Sequence, residues 1–165
     1  MRARLAAAMI LFAVPMAAAQ DTQVPFGGFS HDASLPVEIT SDALELDQAA
    51  GTAVFTGEVK VGQGALRLAA DRVEVFYVDT AGSGTGEVQR MLASGNVTLS
   101  NGTEAAEAER ATYEVATGII EMEGDVLLTQ GSNALSSQQL RIDLNAGTGR
   151  LQGRVQTIFV PSREP

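Results

Sequence analysis

The chain reads as an all-β protein built by stacking one supersecondary unit. Apolar residues recur with a period of two from Leu35 onward, and turn-forming residues interrupt them at a spacing of roughly eight to twelve, the rhythm of a sandwich, barrel or solenoid. One motif also occurs in four copies: a polar or acidic residue, an alternating apolar stretch, and then Gly-x-Val. The copies run from Asp42 to Gly57, Asp71 to Gly95, Glu109 to Gly124 and Gln138 to Gly153, with starts 29, 38 and 29 residues apart. A period of this size marks a unit that cannot bury its apolar face alone. The second copy is nine residues longer, and the excess falls where Asp79 to Gly86 sits, which reads as a loop insertion.

The elements follow in chain order. Arg2 and Arg4, the apolar run Leu5 to Val14 and Ala17-Ala18-Ala19 form a secretory leader, with cleavage expected at Ala19–Gln20. The apolar run is too short to span a bilayer, and without a following cysteine no lipid anchor is expected. The expected layout is a signal peptide over 1–19, a flexible lead-in over 20–34, one β domain over 35–160 and a tail over 161–165. Leu44 and Leu46, Val59 and Val61, Leu66 and Leu68, Val73 and Val75, Val97 and Leu99, Val126 and Leu128, and Leu140, Ile142 and Leu144 alternate with mostly polar residues, as strands with one buried face require. Leu127 breaks that rule. Turns are expected at Ala50-Gly51, Gly62-Gln63-Gly64, Asn101-Gly102, Thr117-Gly118, Gly131-Ser132-Asn133 and Ala146-Gly147. Residues 104–111 have helical propensity, yet Glu109 to Tyr113 occupies the repeat position of Asp71 to Val75, so a strand is expected there. Gly57, Gly95, Gly124 and Gly153 stand inside strand-like runs. They are expected to be stacked corners where a long sheet folds over, ordinary hairpin turns being the alternative.

Composition narrows the chemistry. Loss of the leader removes two of eleven basic residues, leaving nine against twenty acidic ones, a net of −11, which disfavours nucleic acid and anionic membrane. An exported chain without cysteine must be held by sheet and buried apolar area. The single histidine, His31, lies in the lead-in, so no Ser-His-Asp, Cys-His or zinc constellation can be assembled. Gly82-Ser83-Gly84-Thr85-Gly86 lacks the lysine of a phosphate loop. Carboxylate pairs such as Glu107 and Glu109, Glu121 and Glu123, or Asp42 and Glu45 are what chance supplies among twenty acids. With no Trp and only Tyr77 and Tyr113, stacking platforms are missing as well. Neither enzyme activity, a cofactor nor a metal is expected. What remains is an apolar surface that either fills itself or holds something apolar.

Thr56-Gly57-Glu58-Val59, Gly95-Asn96-Val97-Thr98-Leu99, the stretch Val37 to Leu46, Ala70 to Val75 and Ala111-Thr112-Tyr113 together resemble the OstA-like family over about residues 36 to 155. The resemblance implies a semi-open β-jellyroll of stacked V-shaped antiparallel repeats. It also implies a periplasmic carrier that shields the acyl chains of lipopolysaccharide between inner and outer membrane. By alternation, the inward residues expected to contact lipid or pack as core are Leu44, Leu46, Phe55, Val59, Val61, Leu66, Leu68, Val73, Val75, Val97, Leu99, Tyr113, Val115, Ile120, Met122, Val126, Leu128, Leu140, Ile142, Leu144 and Leu151. A stacked sheet leaves its first and last strands open, and Val37, Ile39, Val155, Ile158 and Val160 are the candidates for pairing with another chain. Expected partners are lipopolysaccharide, the inner- and outer-membrane transport components through edge pairing, and further copies head to tail; nucleic acid is excluded. A non-catalytic β-repeat scaffold or adhesin-like protein is the competing reading, and a polysaccharide-active enzyme on a β-helix a third.

Overall fold

One antiparallel sheet accounts for every regular element of the computed structural model, which describes residues 22–25, 35–78 and 86–159. Its eleven strands are β1 (Thr22–Pro25), β2 (Glu38–Thr40), β3 (Ala43–Asp47), β4 (Thr52–Gln63), β5 (Leu66–Val78), β6 (Glu87–Ser100), β7 (Glu104–Glu114), β8 (Ile119–Gln130), β9 (Asn133–Asp143), β10 (Thr148–Gln152) and β11 (Gln156–Ile158). The path through the sheet is β1-β10-β9-β8-β7-β6-β5-β4-β2, with β3 also on β4 and β11 also on β9. Residues 104–114 are strand, so pairing on both sides overrides local helical propensity. No helix among the described residues is long and apolar enough to cross a membrane.

The long strands β4 to β9 each pass through a bend where pairing loses register, between Thr56 and Val59, Ala69 and Arg72, Ser94 and Val97, Glu107 and Arg110, and Glu123 and Val126. Gly57-Glu58 on β4 oppose the single residue Asp71 on β5, the two-against-one geometry of a bulge. Gly57, Gly95, Gly124 and Gly153 have φ of 81°, 77°, 85° and 77°, and each precedes a second left-handed residue: Glu58, Asn96, Asp125 or Arg154. Steric room imposes glycine a second time. A Cβ on Gly124 would lie 2.6 Å from Glu109 Oε2, and Asp42, Asp71 and Gln138 press on Gly57, Gly95 and Gly153 in the same way. The polar residue that begins each copy is therefore the one packed over a glycine of the bend. Asp42 N and Gln138 N also donate to the carbonyls of Gly57 and Gly153, at 3.0 and 3.1 Å.

The aligned bends fold the sheet into two facing walls. The first comprises β3, the halves of β4 to β9 on one side of the crease, β10 and β1; the second comprises β2, the remaining halves and β11. Inward side chains line up across the strands. One row of the first wall runs Leu44, Phe55, Val73, Ala93, Ala111, Met122, Leu140, Leu151. A row of the second runs Ile39, Val61, Leu68, Leu99, Ala106, Leu128, Leu135. Outward positions carry Arg72–Glu74, Arg90–Glu114, Arg110–Glu123 and Arg141–Glu121 pairs. These are exposed and contribute at most about 1 kcal/mol each.

Two expectations need correction. Thr22–Pro25 is not part of a flexible lead-in but a strand on β10, because the unpaired edge of a strand remote in sequence supplies its partner. Gly62 and Gln63 belong to β4, and the turn begins at Gly64. The proposed signal peptide, His31, most of the 79–86 insertion, Val160 and the 161–165 tail lie outside the described residues.

Replacing Gly124 by alanine should destabilise the fold by about 2 kcal/mol or more, through both the positive φ and the collision with Glu109. Gly131, with φ of 58° and no heavy atom within 4 Å of an added Cβ, pays only the backbone term, so Gly131→Ala should cost about 1 kcal/mol. Urea unfolding of the two variants checks the difference.

Candidate lipid-facing interior

Burial along the inward rows is near complete at mid-sheet and at the β10 end, and fails at β3. Val59, Val73, Leu99, Ile120, Met122, Val126, Leu128, Ile142 and Leu151 are wholly buried; Val61, Leu68, Val75, Val97, Tyr113, Leu140 and Leu144 are nearly so. Phe55, Leu66 and Val115 are half-buried against them. Leu44 and Leu46 share the inward face through their partners Phe55 and Ala53, yet they are 51% and 61% exposed. They face inward but are not packed as core, because β3 is a terminal strand that the opposing wall does not cover. Among the edge candidates, Val37, Ile39 and Val155 are half-buried, while Ile158 and its neighbour Phe159 are 66% and 72% exposed.

Between the walls lies a small apolar gap lined by Val61, Gln63, Leu66, Leu68, Val73, Met91, Ala93, Leu99, Ala111, Tyr113 and Ile120. Its volume is about 20 Å³, room for one water molecule and no more. The walls thus rest against each other.

Among the described residues the buried polar side chains are Gln63 and Ser137, and Gln63 meets the hydroxyl of the buried Tyr113. Tyr113 Oη donates to Gln63 Oε1 at 2.9 Å, while Gln63 Nε2 donates to the Leu35 carbonyl at 3.1 Å. Gln63 ends β4 in the second wall, and Tyr113 stands near the end of its half of β7 in the first. Their bond therefore joins the two walls at the rim opposite the crease. Desolvation by burial pushes the Tyr113 hydroxyl up from 10.0 to about 12.

Sequence reasoning missed Gln63, although Val59, Val61 and Gln63 keep one inward period; the flanking glycines masked it as a turn. It also passed over Ala53, Ala93, Ala106 and Ala111, buried at 6% exposure or less, which leave the walls room to approach. Their small size hid them from a pattern counted on large side chains.

A single antiparallel sheet creased lengthwise into two walls, with an apolar interior and open terminal strands, defines a semi-open β-jellyroll. The family described as LptA/(LptD N-terminal domain) LPS transport protein matches residues 38–148, and the chain belongs to it, as the OstA-like signatures implied. Protein R00383 of Rhizobium meliloti (strain 1021), uncharacterised, is 34% identical over 152 residues, which span 88% of this chain and 82% of that one. The crystal structure of LptH from Pseudomonas aeruginosa, the LptA-homologous periplasmic component of a lipopolysaccharide transport device, has the same fold. Its TM-score is 0.69 at 17% identity, over 79% of this chain and 99% of that one.

Burial of Tyr113 links stability to alkaline pH. The phenol titrates near 10 when unfolded and near 12 when folded, so its stabilisation is complete below pH 10 and is lost as pH rises from 10 to 12. Tyr113→Phe should flatten that part of the stability profile. At neutral pH the same change should cost about 1–2 kcal/mol, because Gln63 Oε1 loses its donor. Denaturant midpoints measured from pH 7 to 12 report both effects.

Proposed function

We propose that this protein carries lipopolysaccharide across the periplasm by sheltering its acyl chains between the two walls, without enzymatic chemistry or a cofactor. The observation that carries the reading is the pair of inward apolar rows in a chain of this family, rows that continue uncovered onto β3 at Leu44 and Leu46. Shelter from water is worth about 0.8 kcal/mol per CH₂, or on the order of 10 kcal/mol for a chain of a dozen carbons. Parting the rim gives up the Tyr113–Gln63 hydrogen bond, about 1 kcal/mol net, and exchanges wall-to-wall apolar contact for contact with the entering chain. A gap of about 20 Å³ admits no acyl chain, so loading separates the walls at the rim while the crease holds. The residues proposed to meet lipid are the inward ones named from the sequence, together with Met91, Ala93 and Ala111.

Strand direction supports a bridge of several copies. Neighbours alternate throughout, so β3 runs antiparallel to β4 and would meet β10 of another copy antiparallel as well; β2 would meet β11 in the same sense. Stacking head to tail would thus continue both walls without reversing a strand, and the transport components of the two membranes would join at the free ends by the same pairing. The exported form is proposed to begin at Gln20 after leader cleavage.

The close-packed interior is also what a plain scaffold would present. Photoreactive residues at Leu44 and Leu68, with Arg141 on the outer face as control, separate the two in cells making lipopolysaccharide. Lipid adducts at the first two positions and none at Arg141 are expected. A pattern without inward adducts leaves the scaffold. Depletion of the protein should likewise hold newly made lipopolysaccharide at the inner membrane.

A further inference from the structure

The outer edge of β10 is already occupied. Thr22 faces Leu151, Gln23 faces Arg150, Val24 faces Gly149 and Pro25 faces Thr148, all in antiparallel pairing. β1 precedes β2 in the chain, yet β2 lies on β4 at the opposite end of the stack. The first strand of the chain is thus docked on the last edge of the first wall.

That placement has a geometric consequence. β1 runs in the direction that β3 of a second copy needs on the same edge, and one strand edge accepts one partner. β1 and an incoming β3 therefore compete. The incoming copy has the larger surface to offer: five residues of β3 against four of β1, the exposed Leu44 and Leu46, and β2 for β11 at the same time. A strand of four residues, one fewer than β3, is suited to release.

We infer that β1 is a detachable cap on the β10 edge, and that a second copy of this chain joins by exchanging its β3 for the resident β1. The identity of the incoming strand rests on the bridging reading above, whereas the occupied edge stands on the register alone. Capping keeps the free protein from polymerising through its own edge and confines growth to encounters in which both walls dock together.

The test uses the purified chain from Gln20 without lipid, so its outcome is independent of lipid adducts. Deleting residues 20–26 should lower the concentration at which oligomers appear in light scattering by about tenfold or more, equivalent to about 1.4 kcal/mol. Gln23→Cys combined with Arg150→Cys, in a chain that has no cysteine, should form an intramolecular disulfide between register partners. The oxidised protein should stay monomeric at concentrations where the reduced protein associates. Unchanged or weakened association of the deletion variant overturns the proposal. So does a disulfide that fails to form or that links two chains, or an oxidised protein that associates as readily as the reduced one.

Discussion

The whole architecture depends on a steric exclusion at the crease. At Gly57, Gly95, Gly124 and Gly153 the backbone is left-handed, and the side chain of Asp42, Asp71, Glu109 or Gln138 occupies the space a Cβ would take. One bulge would merely kink a strand. Aligned bulges force every long strand to turn at the same level, and a flat sheet with one apolar face becomes two walls whose apolar faces meet. Burial then follows from geometry: residues on either side of the bend, such as Val73 and Val97, fall to 0% and 1% exposure without a second sheet or a helix to cover them.

Crease and rim differ in strength, and in the proposed carrier that difference sets the direction of opening. The crease is held by continuous backbone, by bulges that admit only glycine, and by amide-to-carbonyl bonds such as Asp42 to Gly57. The rim is held at the level of the gap by Tyr113 and Gln63, a polar pair whose members find other partners once water or a polar ligand group arrives. Alanines at positions 93 and 111 bring the walls close, so the interior exposes little apolar surface. A carrier with a permanently open trough would present that surface to every hydrophobic collision.

Much of this was legible in the sequence because the crease requires glycine and the walls require alternation. The spacing of Asp42, Glu109 and Gln138 from their glycines marked contacts that the structure places within collision distance of an added Cβ. Parity was the weaker guide. Gly-bearing strands carry two extra residues at the bend and their partners one, so the inward set of β5 moves from even to odd numbers between Leu68 and Val73, while that of β4 stays odd from Phe55 to Val59. Large residues tracked this shift; alanines and Gln63 did not announce their side. Exposure of Leu44 and Leu46 and the docking of Thr22–Pro25 were illegible for another reason. Both are set by what lies beyond the end of the stack, which a local pattern does not encode.

The ends are where this fold leaves strand edges without a neighbour from within the stack. Within the stack each strand satisfies the edge of the one before it, so among the described strands open edges survive at β3 and β2 on one side and at β11 and the β1 that covers β10 on the other, with Leu44 and Leu46 uncovered on β3. An acidic chain with ion-paired outer faces gives a partner little to bind on its flanks. Any extension of the inward rows therefore has to come end-on, where strand direction, crease and apolar rows all continue. In that arrangement the β10 edge carries the decision between a capped monomer and a longer bridge, because it is the one end at which the chain supplies its own competitor.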